Sequence, residues 1–571
     1  MPSRTPVSVA QYLFARLKDV GIRSVHGVPG MRLQFASLDY ISQTGLRWIV
    51  NCNELNAGYA ADGYARVHGI SALMTVAGVG ELSVSNAIAG AYAEYVPIVH
   101  IVGQPSLRLQ KQRKLLHHSL GDGDFEAMAR MSERAASKSV QLRCAAQAPG
   151  MIDEAITHSW RSSRPVSIIL PTDMVHEPVI AANLSHPLNM VPTANNYVTE
   201  RRAVDAILTA FRTARQPILL VGGYNVRFTK RREVQELAEA FGLPVFLSAS
   251  GRGIIDEEHP IFHGLYLGDC SDPNTAEMVR SSDLIISIGN IHSDLSVASL
   301  SWELDPLRMV EIRDGLVQIK GKDYHGLSSP ELLQTLVHRA RDFTQTQRQS
   351  QHMSHTLSYR EERGPLNHDW LWLSLSDWLQ PVDTVIAETG TSNLGIWSTR
   401  PRDVTYISQY LWASVGYSLD ACQGAAAAVQ DSGHPNRRTV LFIGDGSFQF
   451  SCQELSTIVR HNLTPIIFVI CNNGYTVERL IHGRHESYND IQVWQYRKLL
   501  EVFGAGRGSY QTYQIRNKKE LSALLQDSSF NDDSTLRFVE LHMDQRDAPS
   551  DLQILTQQLV AWDTQPQRQG V

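Results

Sequence analysis

The chain reads as an α/β protein made of three consecutive parallel-sheet domains. Three observations predict this. Short apolar, β-branched runs alternate with stretches of helical periodicity along most of the length. At 571 residues the chain exceeds what one core supports, and about three domains of ~100–200 residues follow. Two stretches, 186–195 and 352–365, turn polar and lose periodicity, as linkers do. The predicted domains are 1–185, 196–345 and 366–545, with a Gln-rich tail at 546–571 that ends loosely and either caps a site entrance or is partly disordered.

The first domain opens with an amphipathic helix marked by Val9, Leu13, Leu17 and Val20, followed by a short strand to Val25. The turn Gly27-Val28-Pro29-Gly30 comes next, then the apolar run Trp48–Val50 and a helix rich in Ala and Tyr over 55–66. Strands over 72–76 and 98–102, with a helix between, continue the βαβ pattern. The second domain starts with a strand at 217–221. The Val221-Gly222-Gly223-Tyr224 that follows lacks the third glycine of a dinucleotide fingerprint and reads as a strand-end turn.

The third domain carries the chemistry. Thr439–Ile443 is a β-branched, apolar run cut by Gly444-Asp445-Gly446-Ser447. Leu455, Ile458 and Val459 then fall at helical spacing, and 466–470 is apolar enough for a buried parallel strand. Both polar clusters, 444–447 and 472–474, therefore lie at the carboxyl ends of parallel strands, where open α/β sheets bind ligands. Asp445, Asn472 and the carbonyls after Asn473 are hard oxygen donors. They are too few for a cage, and suit Mg²⁺ completed by phosphate oxygens. The glycines let the backbone approach a phosphate closely.

GDGS followed by NNGYT, with 25 residues between Ser447 and Asn473, resembles the thiamine-diphosphate signature. The similarity is nearest to the pyruvate and indolepyruvate decarboxylase family, through AETGTS (387–392), LWASVG (411–416), GYTVERLIHG (474–483) and NCNELNAGYAADGYAR (51–66). It implies pyrimidine-binding, central and diphosphate-binding domains in that order. Thiamine diphosphate and Mg²⁺ are the implied cofactors, with Asp445, Asn472 and the Gly474 carbonyl on the metal. Thr391, Ala413, Val415, Gly444, Gly446, Ser447 and Tyr475 are implied around the cofactor. Val415 would prop it in its bent form, and Ala413 stands where a glycine is common.

Glu54 by itself is a helix-start carboxylate favoured by the dipole. The resemblance makes it the residue that draws the aminopyrimidine into the imino tautomer able to deprotonate C2. His117 and His118 alone would be a surface pair; the resemblance implies that they enter the site to shuttle protons, which their near-neutral titration suits. Glu478, otherwise a surface helix residue, would handle the proton at the bond-making carbon, its carboxyl raised by burial. Val477 and Ile481, at i and i+4, match an apolar substrate lining, and 290–295, with Leu295, would be the central segment nearest the substrate. Leu295 and Val477 are of moderate size and hint at an acid larger than pyruvate.

Met31 departs from the family, which carries an aspartate there. A thioether neither donates nor accepts a proton, which points toward C–C bond formation from the enamine instead of aldehyde release. The expected activity is decarboxylation of a 2-oxo acid, releasing an aldehyde or coupling it to a second carbonyl. A plain decarboxylase and a non-catalytic cofactor-binding paralogue are the alternatives. CO₂ release from a panel of 2-oxo acids, with and without aldehyde, separates the three.

The net charge of −6 offers no basic footprint for nucleic acid. Six scattered cysteines without CxxC spacing read as reduced, mostly buried thiols, and Cys471 as a packed strand-end residue. No stretch approaches ~18 apolar residues and the first residues lack an apolar leader, so the cytoplasm is expected, with no membrane partner. The resemblance implies a homodimer or homotetramer, Glu54 of one chain meeting Asp445 of another.

Overall fold

A computed structural model of the chain describes residues 6–30, 35–224, 231–296, 301–302, 304–340, 362–434, 436–532 and 534–564. Three sheets of six, seven and six strands follow one another, with a small antiparallel pair, Pro6–Ser8 with Pro178–Ile180, closing the first unit. The first sheet has the order Arg47–Val50, Ser24–Gly27, Ser71–Val76, Ile98–Gln104, Val166–Pro171, Lys138–Gln141, parallel throughout. The last sheet runs Thr405–Ile407, Thr384–Ala387, Thr439–Gly444, Ile466–Cys471, Leu536–His542, Tyr510–Ile515, also parallel throughout. Counted along the chain, both have the order 2-1-3-4-6-5. Each therefore reverses direction between its first and third strands, the crevice where such sheets take ligands. In the last sheet those strands end at Ala387 and Gly444, which brings Gly390–Thr391 beside Asp445–Ser447.

The central sheet departs from the all-parallel expectation. Phe262–Leu265, Val245–Leu247, Pro217–Val221, Leu284–Ile288 and Met309–Arg313 are parallel, but Leu316–Ile319 and Lys322–His325 extend them antiparallel. Two-residue turns make these hairpins, Asp314-Gly315 with Gly315 at φ 81° and Lys320-Gly321 at φ 47° and 80°. Asp-Gly between apolar runs is itself a hairpin signal.

The first and last units share one hydrophobic core, from Ile49 and Tyr64 through Ala421 and Leu441 to Phe538. Helices Glu54–His68 and Tyr417–Ser432 meet there on small residues. A Cβ on Gly63 would stand 2.0 Å from the Ala421 carbonyl oxygen, and one on Gly424 1.7 Å from that of Ala60. Only glycine permits backbones this close. In the tail, Ser550–Thr564 is a helix with Leu552 and Leu555 buried, packed against the helices Thr391–Gly395 and Thr476–Ile481.

Of the six cysteines, three are buried, Cys452 is half-buried, and Cys52 and Cys144 are exposed, a larger exposed share than expected. Burial pushes the Cys471 thiol well up, in keeping with a packed residue. No described helix is long and apolar enough to cross a membrane.

Candidate active site

The GDGS turn is shorter than the sequence implies. Helix Asp445–Ser451 begins at once, with Gly444 as its N-cap. Asp445 is 1% exposed, and its carboxylate accepts the N–H groups of Gly446 (2.9 Å), Asn472 (3.1 Å), Asn473 (2.8 Å) and Gly474 (3.4 Å). Burial pushes the carboxyl up to about 6 against the pull of these donors. A Cβ on Gly446 would lie 2.7 Å from the Tyr475 ring, so glycine there lets Tyr475 rest on the loop. Ser447 and Thr391 are buried beside it.

Asn472 decides what this pocket holds. One end of its amide is 2.8 Å from the Thr476 hydroxyl; the other is 3.1 Å from Asp445 Oδ1 and 3.2 Å from the Gly474 carbonyl. In a site without a cation the NH₂ would face those oxygens. With a cation the amide oxygen does, and three oxygens then meet at the ~3.0 Å edge of an octahedron with ~2.1 Å Mg–O distances. Among the described residues no three His, Cys, Asp or Glu gather as a metal cage. One carboxylate with neutral oxygens is what a cation shared with a diphosphate needs.

The neighbouring loop, 410–416, is held from two domains. Glu388, wholly buried and pushed up to about 7 by that burial, accepts the N–H groups of Gly416 (3.1 Å) and Ser418 (3.0 Å) and the Ser418 hydroxyl. Glu94 of the first domain accepts those of Tyr410 (2.9 Å), Leu411 (2.7 Å) and Trp412 (3.0 Å), with Arg66 3.7 Å away. Ala413 takes a left-handed φ of 50°, which accounts for glycine being common at this position. Val415 is partly exposed.

On the first domain, Glu54 opens its helix behind the N-cap Asn53, whose side chain accepts the Asn56 N–H at 2.9 Å. A Cβ on Gly80 would come within 3.0 Å of Glu54 Oε1. His118, at φ 62°, sets its carbonyl 2.1 Å from where a Gly78 Cβ would be. Burial and then the neighbouring His117 hold the His118 imidazole below its ordinary range, with Glu54 opposing. The two histidine rings meet edge to face at 4.6 Å. Among the described residues, no hydrogen bond or ion pair joins Glu54 or His118 to Asp445, Asn472 or Glu478.

Helix Thr476–Ile481 turns Thr476 and Arg479 inward and leaves Glu478 exposed. The expected burial of Glu478 is therefore absent within a single chain. Val477 and Leu295 are half-buried against the same third-domain core, and Ser293 donates to the Tyr410 carbonyl at 3.2 Å. The central segment thus reaches the loop. Ile481 is 38% exposed. Met31 lies outside the described residues.

Three family profiles match in order: "Thiamine pyrophosphate enzyme, N-terminal TPP binding domain" over 7–130, its central domain over 204–321, and its C-terminal TPP binding domain over 388–538. A pyruvate decarboxylase of Aspergillus fumigatus is 47% identical over 555 residues, covering 96% of both chains. Pyruvate decarboxylase isozyme 1 of Saccharomyces cerevisiae is 40% identical over 550 residues, 96% of this chain and 97% of its own. The chain belongs to the thiamine pyrophosphate enzyme family. A solved Rhodococcus jostii RHA1 thiamine diphosphate-dependent 4-hydroxybenzoylformate decarboxylase, 17% identical, has the same fold, with a TM-score of 0.72 over 94% of this chain and 99% of that one.

The cofactor of this thiamine pyrophosphate enzyme is thiamine diphosphate with Mg²⁺, and the oxygen cluster at Asp445, Asn472 and Gly474 fits it. Sequence reasoning passed over Glu388, Glu94 and Glu454. Glu388 lay within the quoted AETGTS, but nothing in one sequence marks a carboxylate as buried.

Proposed function

We propose that the chain is a thiamine-diphosphate-dependent decarboxylase of 2-oxo acids, similar to the pyruvate decarboxylases. The observation that carries this is the clustering of the Asp445 carboxylate and the Gly474 carbonyl within 3.2 Å of one end of the Asn472 amide, in a chain alike over 96% of its length to those enzymes. When bound, the cofactor supplies the electron sink for loss of CO₂. Asp445, Asn472 and Gly474 hold the cation, and Thr391, Gly444, Gly446, Ser447 and Tyr475 surround the diphosphate. Ala413 and Val415 support the ring system, and Glu54 sets its tautomer. His118, neutral at neutral pH, accepts or returns a proton at a ring nitrogen, with His117 behind it and Glu478 at the reacting carbon. Leu295, Val477 and Ile481 line a pocket for an acid of pyruvate size or larger. The functional units are 1–185, 196–345 and 366–545.

Two of these assignments require a second copy. Glu478 is exposed, and Glu54 has no tie to Asp445 within one chain. Val79, Leu82, Trp412, Val415 and Phe450 are 57%, 39%, 40%, 37% and 59% exposed, which supports a homodimer or a dimer of dimers.

Met31 favours a finer reading, in which the enzyme joins the decarboxylated fragment to an aldehyde or ketone. A panel of 2-oxo acid donors and carbonyl acceptors with product identification tests it. Coupled product is expected from the wild type, and Met31→Asp should raise aldehyde release at its expense. Efficient aldehyde release by the wild type, with no coupling at saturating acceptor, would leave plain decarboxylation. No CO₂ from any donor, with cofactor bound, would refute both.

A further inference from the structure

The segment leading into Glu54 is tied to the third domain by one buried carboxylate. Glu454, the first residue of helix Glu454–Arg460, is 0% exposed. It accepts the Cys52 N–H at 2.7 Å and the Asn51 side-chain amide at 3.2 Å. Gln423 accepts the same amide at 3.0 Å, and the Cys52 sulfur lies 3.2 Å from the Gln453 carbonyl. Two residues on, Glu54 begins its helix.

We propose that Glu454 is a positioning residue for Glu54, fixing the entry of its helix against the third domain. The proposal rests on the tautomer-setting role given to Glu54 above. Strand Arg47–Val50 has ended before this segment, and the N–H groups of a first helical turn have no intrahelical partner. Glu54 therefore stands on the part of the helix most prone to fray. The Cys52 N–H and the Asn51 amide both end on the one Glu454 side chain, so an acceptor fixed in the third domain restrains the entry to that turn.

The test uses Glu454→Gln, which keeps the volume and puts an NH₂ in place of one acceptor oxygen, and Asn51→Ala, which removes one donor. In the cofactor-free protein, amide exchange over residues 51–57 should rise about tenfold or more in both variants. The strand Thr439–Gly444 should be unchanged. In the reconstituted protein, exchange of the cofactor C2 proton should slow about tenfold, with cofactor affinity within about twofold of wild type. Glu54→Gln is measured alongside. If it slows C2 exchange while Glu454→Gln leaves both C2 exchange and the 51–57 amides at wild-type rates, the positioning role is refuted. Uniform loss of protection across the domains would also overturn it, as general destabilisation. C2 exchange unchanged in Glu54→Gln would refute the role of Glu54 instead, and the amide rates would still judge the anchor. Should Glu454→Gln not fold, Asn51→Ala with Glu454→Asp decides by the same amide rates.

Discussion

A carboxylate wholly out of water, as Glu388 is, pays a desolvation cost that its three donors only partly offset. Burial therefore raises its carboxyl from 4.5 to about 7. A raised folded value means that the stabilisation is fully present below the unfolded value and is lost as pH rises through about 7. Glu388→Gln cannot ionise. The stability of the cofactor-free wild type relative to this variant should fall between pH 5 and 8 by an amount on the order of 3 kcal/mol. Urea unfolding at several pH values measures it; a constant difference would place the Glu388 titration outside this range. Functionally, a neutral Glu388 near pH 7 can still accept the Gly416 and Ser418 N–H groups and so hold the end of the 410–416 loop.

Helices Glu54–His68 and Tyr417–Ser432 join the two catalytic units through Ala60, Gly63, Ala421 and Gly424, where backbone meets backbone. A methyl group there cannot be absorbed by a rotamer change, so one helix must move. Gly424→Ala is expected to lower stability by about 3 kcal/mol, at the upper end of overpacking costs. It should also weaken cofactor binding, because the same helix follows the Ala413–Gly416 loop. Gly150→Ala, also helical but with open space around its Cβ, should be neutral or slightly stabilising. Thermal unfolding of the pair distinguishes close packing from helix propensity, since propensity alone would stabilise both.

At the scale of the molecule, the first and third units carry the same strand order and share a core; in the proposed function they contribute different halves of the chemistry. Under the proposed function, a second copy would complete the site at the exposed apolar residues Trp412, Val415 and Phe450. Sedimentation at micromolar concentration should give particles of two or four chains. Phe450→Glu should weaken the assembly at least about tenfold and carry cofactor retention down with it. A fully active monomer would refute the two-chain site.

Much of this was legible along the chain because its causes are local. Continuous apolar, β-branched runs located the strands 439–443 and 466–470, and an Ala- and Tyr-rich stretch located the Glu54 helix, each to within about two residues. GDGS alone would read as a turn; its pairing with NNGYT carried the family resemblance, and that resemblance implied Asp445, Asn472 and Gly474 as metal ligands. The antiparallel edge of the central sheet was also written in Asp314-Gly315, and was overlooked. What the sequence determined by itself is thus the α/β class and the family. Tertiary structure alone decided which carboxylates lose their water: Glu388, Glu94 and Glu454 look like any others in the chain, and only packing from distant segments buries them. It also decided that Glu478 stays exposed in one chain, and that the tail folds as a helix over the site. Burial is a property of what lies on every side of a residue, and neighbours hundreds of positions away leave no local pattern.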